Sequence, residues 1–381
     1  MKRQRGSIMV LAAGLILTLT GFAILAIDLG RIFIVRNEMQ NAADSAALAG
    51  ANCLMRTTVA GTSDCSATMA TAINWTGAAA KAQDQLGKNS AANVPISTVD
   101  TGHSIEVGYW RLGCAGGGCT PGPSGGSFST TFSPLTNYDK PAVKVTITKD
   151  TGKNSGPIFM LSKVMFGASD VPMFAAAVAV ISSPGTVMQN NLIPQAIDKC
   201  LYDQYWDYTT MSPKLATSTN LQVLDNTGKT IDVPQTIGQP WVFRIGSAYH
   251  YPGCQAGQWS SFDSVDPSAA YAKWLIQNGN PSPLDVGDSI YIQPGTETSL
   301  YKELGEKYPN LPVDVTVMVV DYNLSTQGQT PIYAFAGFRI TDIKGGSGKY
   351  IEGHFIKSAI SSGSSGVGPF FGSYTPPRIA Y

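Results

Sequence analysis

The sequence predicts an α+β protein: a long N-terminal transmembrane helix, continuing outside the membrane as a helical stalk, then strand-rich regions with short helices. Three observations carry this expectation. Gly6 to Ile27 is an unbroken uncharged run behind Lys2, Arg3 and Arg5. The run passes directly into "NAADSAALAGA", a helix-favouring stretch of small residues. Further along, segments such as "HSIEVGYWR" and "PAVKVTITK" alternate apolar with polar residues, as half-buried strands do.

At 1.5 Å per residue the first run is about 33 Å long as a helix, enough to cross a bilayer core. A secretory signal has a shorter apolar region and an A-x-A-like end, and this segment has neither. Residues 1–6 are therefore expected to be a cytoplasmic basic start and 7–27 the membrane span. Everything after Asp28 is expected outside, because basic residues stay on the cytoplasmic side. Gly6 before an apolar helix resembles a prepilin-type cleavage site. Such a site asks for an acid five residues on, and Leu11 stands there instead. Cleavage between Gly6 and Ser7 stays open.

Residues 28–88 are expected to form an extracytoplasmic stalk or hairpin. Asp28 and Arg31 share a helix face at i, i+3 and can pair, while Arg36 lies beyond the apolar core with Arg31 and holds the helix end at the outer surface. Ala42, Ala46 and Ala49 form one row of small side chains, with Ala43, Ala47 and Gly50 beside it. Such spacing lets another backbone approach closely, so these residues are the candidate helix-packing face, directed at pilin helices or a second copy. Residues 66–87 read as a second helix running back along the first.

The junction and the small-residue run together resemble the N-terminal signature of TadG-like Flp pilus-assembly proteins of the Tad (tight adherence) family. That signature joins a basic start, an apolar span, an A-(I/V)-D-x-(G/A)-R junction and Q-N-A-A-D-A-A-A-L-A-G-A. Here the junction is Ala26, Ile27, Asp28, Gly30 and Arg31, followed by Gln40, Asn41, Ala42, Ala43, Asp44, Ala46, Ala47, Leu48, Ala49, Gly50 and Ala51. The match is strong over about residues 3–51. More weakly, "VGYWRLG", "PAVKVTITK" and "VPMFAAAVAVISSPG" are similar to the β-rich region that follows in such proteins. The resemblance implies a bacterial inner-membrane protein of pilus assembly or adhesion, with pilus machinery or pilins as partners. Longer relatives carry a D-x-S-x-S metal motif; this chain does not, so metal-dependent adhesion is not carried over.

A first α+β region is expected over 89–186 and a second over 187–357, with "LQVLDNTGKTIDV" as a hairpin. A Ser/Gly/Pro-rich flexible tail is expected over 358–381. Cys53, Cys65, Cys114, Cys119, Cys200 and Cys254 all follow the span. An even set in an oxidising compartment points to disulfides, in 15 possible pairings. "CAGGGC" invites a local Cys114–Cys119 bridge.

Composition and motifs exclude more than they assign. Net charge is zero and charged residues are 14% of the chain, so nothing favours nucleic acid. "GPSGG" places Ser124 in a G-x-S-x-G pattern, yet without the strand and helix of a nucleophile elbow. His103, His250 and His354 are isolated. Asp263 and Asp266 fit a turn and a helix cap better than a calcium loop. Tyr202, Tyr205, Trp206 and Tyr208 are either core or a recognition patch for a partner or glycan. No catalysis, cofactor or metal is expected. Two alternatives stand: a minor pilin that enters the filament, and a tethered envelope hydrolase acting through Ser124.

Overall fold

The computed structural model describes residues 5–380 apart from 71, 112–113, 116–117, 120–125, 132–138, 226, 247–248, 252, 263, 266–267, 295–297, 322–323, 325–326, 347, 360–365 and 367–369. Helix α1 spans Arg5–Cys53 without a break, 49 residues. No proline or kink-forming residue pair interrupts it, so the apolar run and the alanine-rich run share one axis. A short hairpin, β1 (Arg56–Thr58) and β2 (Cys65–Met69), turns the chain, and α2 (Trp75–Gly87) packs back against α1. The second helix thus starts at Trp75, not at residue 66. The Asn74 side chain caps it by accepting the Gly77 N–H, and Cys65–Met69 is held extended by pairing with β1.

The first sheet is antiparallel and built from β3 (His103–Arg111), β4 (Ser127–Ser129), β5 (Asp139–Lys149) and β6 (Met173–Val180). Its order is Arg378–Ile379, β6, β5, β3, β4. Val143, Val145 and Ile147 on β5, with Ala175, Ala177 and Ala179 on β6, lie in the same core as the second half of α1. Between β5 and β6 sits the short helix α3 (Leu161–Phe166), which contacts α1.

The second region holds α4 (Lys199–Tyr205), α5 (Ala269–Asn278) and α6 (Thr298–Lys307) around a seven-stranded sheet. Its strands are β7 (Gln195–Asp198), β8 (Phe243–Ile245), β9 (Gly257–Ser260), β10 (Ser289–Gln293), β11 (Val313–Val320), β12 (Gly328–Lys344) and β13 (Tyr350–Ile356). Strand β12, 17 residues long, pairs first with β10 and then with β11. Strand β11 runs parallel to β7, β7 pairs β9, and β9 pairs β10, so five strands close into a ring. Side chains alternate by face. Ala196, Ile290, Ile292, Met318, Val320 and Phe335 form one cluster, while Ile197, Val317, Val319, Ala334 and Ala336 join the large core that reaches α1. The expected hairpin pairs Asn220–Asp225 with Thr230–Pro234; Asn226 at its tip lies outside the described residues.

The described part of the C-terminal tail is not loose. Phe371, Ser373 and Thr375 are fully buried, and the Phe371 ring stands 4.2 Å from that of Tyr202. Thr375 donates its N–H to Ser182 O at 3.0 Å, tying the tail to the end of β6. Aromatic side chains anchor a segment whose Ser and Gly content alone reads as a linker.

Candidate functional site at the membrane junction

From Ile8 to Thr20 every side chain of α1 is exposed. The helix is long and apolar enough to cross a membrane, with a mean hydropathy of 2.5 in a window of which none is buried within the protein. From Gly21 onward one stripe turns inward at three- and four-residue steps: Gly21, Ile24, Asp28, Ile32, Val35, Met39, then the alanines. The same helix is therefore bare for its first half and the spine of a folded domain for its second.

Asp28 sits where the two halves meet, and it is fully buried. Its Oδ1 accepts the Leu161 N–H and its Oδ2 the Ser162 N–H, both at 2.8 Å. These are orphan donors of the first turn of α3, which no intrahelical carbonyl can reach. Met160 occupies the N-cap position and has no side-chain oxygen to offer, so Asp28 supplies the cap from another helix. No salt bridge joins Asp28 and Arg31 among the described residues, although the Arg31 charge acts on Asp28 across the helix turn. Arg31 is half-buried and Arg36 exposed.

The candidate packing face is buried as well: Ala42, Ala43, Ala46 and Ala47 are no more than 1% exposed. Its partner is the chain's own fold rather than a pilin or a second copy. A Cβ placed on Gly50 would lie 2.8 Å from Ala78 O and 2.9 Å from Ala82 Cβ of α2, and 3.1 Å from Val143 Cγ1 of β5. Small residues are required because α2 and the sheet both press on this face. Polar residues fix the register. Gln40 Nε2 donates to Ala176 O on β6 at 3.0 Å and to Asp44 Oδ1 at 2.8 Å. Glu38 accepts the Ala92 N–H at 2.7 Å, and Asn89 donates to Ser45 Oγ at 3.2 Å. Gln40 and Asp44 lie inside the family-like motif and pair at i, i+4, but Gln40's second partner, Ala176 O, is 136 residues away and could not be read from it.

Among the described residues two cysteine pairs are bonded, Cys53–Cys65 and Cys200–Cys254, with Cα separations of 5.5 and 5.7 Å. The first staples the end of α1 to β2. Cys114 and Cys119 face each other across a two-residue ladder, and their side chains lie outside the described residues.

Other candidates are dispersed. Tyr202 and Trp206 are fully buried, Tyr205 nearly so, and only Tyr208 is exposed; their rings pack on Phe243, Phe355, Phe370 and Phe371. Tyr202, Tyr205 and Trp206 are core, while Tyr208 stays at the surface with its ring 5.8 Å from that of Phe371. Ser124, Asp263 and Asp266 lie outside the described residues. His103, His250 and His354 stand on different strands. Among the described residues no cluster of His, Cys, Asp or Glu is placed to hold a metal. A cleft of about 910 Å³ opens beside β13, lined by Met69, Pro213, Arg339, His354 and Lys357. Burial, with the Arg339 charge adding to it, pushes His354 down to about 4, and burial pushes Lys357 down to about 8. Lys357 Nζ donates to Ala70 O at 3.0 Å, joining β13 to the loop after β2.

No curated protein and no solved structure matches the chain. The family model Tad, for TadE/G-like Flp pilus assembly, matches residues 6–52. That stretch is coextensive with α1 to within a residue at either end. The long apolar helix, with its buried small-residue half and its Asp28 junction, is thus the part of this chain that is similar to Flp pilus-assembly proteins of the TadE/G type.

Proposed function

We propose that the protein is a membrane-anchored, extracytoplasmic component of Flp pilus assembly that works by structure rather than catalysis. One observation carries this: the segment similar to the Tad family is a single helix, bare and apolar in its first half and the core of a large folded domain in its second. Lys2, Arg3 and Arg5 keep the start of the chain cytoplasmic, and the two bonded cysteine pairs favour an oxidising compartment for the domain. In a bacterium both features support an inner-membrane span. Because α1 runs unbroken from span to core, the domain is carried rigidly on its anchor instead of swinging on a linker.

The partners on this view are pilins or other pilus machinery, met through surfaces other than the consumed alanine face. The test is genetic. Deleting the protein should abolish surface filaments. Expressing it with residues 7–27 replaced by a cleaved secretory signal should not restore them. Normal piliation by the released domain would contradict an anchoring role.

A second reading is favoured by the bare half of α1. A protruding apolar helix on a folded head can bundle with copies of itself, so the chain could serve as a filament subunit. Leu11, where prepilin-type sites carry an acid, weighs against it.

A further inference from the structure

We propose that α3 and the start of β6 form an apolar foot that enters the lipid interface beside α1, so that the domain sits on the same bilayer its anchor spans. This rests on the anchor reading above and adds a second, independent membrane contact.

Five large apolar side chains in this part of the chain are left 42–76% exposed. Phe159 leads into α3, Val164, Met165 and Phe166 are on it, and Phe174 stands at the start of β6. Val164, Phe166 and Phe174 are 76%, 64% and 67% exposed. A contiguous apolar surface of this kind marks a contact with protein or membrane.

Position on α1 decides between the two. The Phe166 ring lies against Gly21, where a Cβ would meet it at 3.4 Å. Gly21 is inside the apolar run, six residues before Ile27, which is about 9 Å back along the helix toward the cytoplasm. Around it on α1, Phe22, Leu25 and Leu29 are themselves exposed. The foot therefore continues the apolar surface of the anchor at the level of the outer leaflet. Its overlap fits the roughly 5–10 Å to which interfacial apolar faces sink below the headgroups. The one charged residue of α3, Lys163, is paired with Asp170 at 2.6 Å, and on α1 Arg31 lies one turn beyond Asp28. Asp28 itself fixes the foot in place, since both of its oxygens are spent on α3. The occupant is phospholipid.

The test uses the full chain in liposomes of phosphatidylethanolamine and phosphatidylglycerol. A photoreactive benzoylphenylalanine is placed singly at Phe166, Phe174, Phe22 or Ile237, all exposed positions, and unfolding temperatures confirm that each variant folds as the parent does. After illumination, mass spectrometry should find lipid adducts at Phe22, Phe166 and Phe174, and none at Ile237, which is 62% exposed but belongs to the second region. Lipid adducts at Phe22 with none at Phe166 or Phe174 would overturn the proposal while leaving the anchor intact. Crosslinked dimers through Phe166 would overturn it in favour of a second copy on this face. No lipid adduct at Phe22 would overturn the anchor reading, and this inference with it.

Discussion

Gly50 and its neighbours leave no room for a side chain, because α2 backbone and a β5 valine both stand within 3.1 Å of where a Cβ would go. Gly50→Val should cost about 2–4 kcal/mol, at or above the usual range for overpacking, since a backbone carbonyl cannot yield as a side chain can. Thermal unfolding of the full chain in detergent checks this. Val99→Ala, at an exposed site, should leave the midpoint unchanged. His354 supplies a pH-dependent term. Its ordinary value is 6.5 and burial brings it to about 4 in the folded chain, so between these values the unfolded chain binds more protons. Stability should then fall as pH drops from about 6.5 to about 4, by on the order of 3 kcal/mol, and level off below. His354→Gln should flatten that limb in unfolding curves taken at pH 7 and pH 4.5; an unchanged limb would assign the acid loss to other groups. Residue identities of this kind were partly visible beforehand. The small-residue pattern was plain in "NAADSAALAGA", but its partner was not. A helix face of alanines accepts a sheet as readily as another helix, and spacing alone does not say which.

At the scale of elements, the contact between α1 and α3 hangs on one carboxylate. Asp28→Ala removes both acceptors and leaves two amide donors of α3 unpaired, a cost of about 1–3 kcal/mol each where water cannot replace them. The expected result is local: hydrogen exchange should accelerate over residues 159–166 while β5 and β6 keep their protection. The Cys53–Cys65 bond closes a loop of 12 residues, and its loss in a Cys53→Ala/Cys65→Ala variant should lower stability by about 2–4 kcal/mol. That variant should also fray α1 beyond Ala51, seen as faster exchange there. Helix α1 was legible in sequence because apolar and alanine-rich runs are both strong helix signals. The boundary of α2 was not. "SATMATAINWTGAAAKAQDQLG" favours helix by composition, yet residues 65–69 are drawn into a strand by β1 and by the bond to Cys53, and local propensity yields to pairing. The capping residue Asn74 was present in the sequence and marks the true start. The Asp28 cap was out of reach, since its partners lie 133 and 134 residues away.

For the whole molecule, the largest core cluster runs from the buried half of α1 through the first sheet to the seven-stranded sheet. Three of the seven strands of that second sheet were legible, in "VDVTVMVVDY", "PIYAFAGFRITDI" and "KYIEGHFI"; the short β7, β8, β9 and β10 were not. Nor was the closure into a ring, because it depends on β12 pairing with two neighbours in succession along its length. The tail shows the same limit: Phe370, Phe371 and Tyr374 are buried in a segment whose composition reads as loose. These long-range contacts make the domain one body built around its own anchor, so α1 cannot leave the membrane without the domain following. The central claim, an anchored assembly component, is tested most directly by location. Surface filaments are sheared from cells, inner and outer membranes are separated, and each fraction is probed with antibody against residues 187–357. The account predicts signal in the inner membrane and none in the filaments. Signal in the sheared filaments would contradict it and make the chain a pilus subunit, with the bare half of α1 buried among its neighbours.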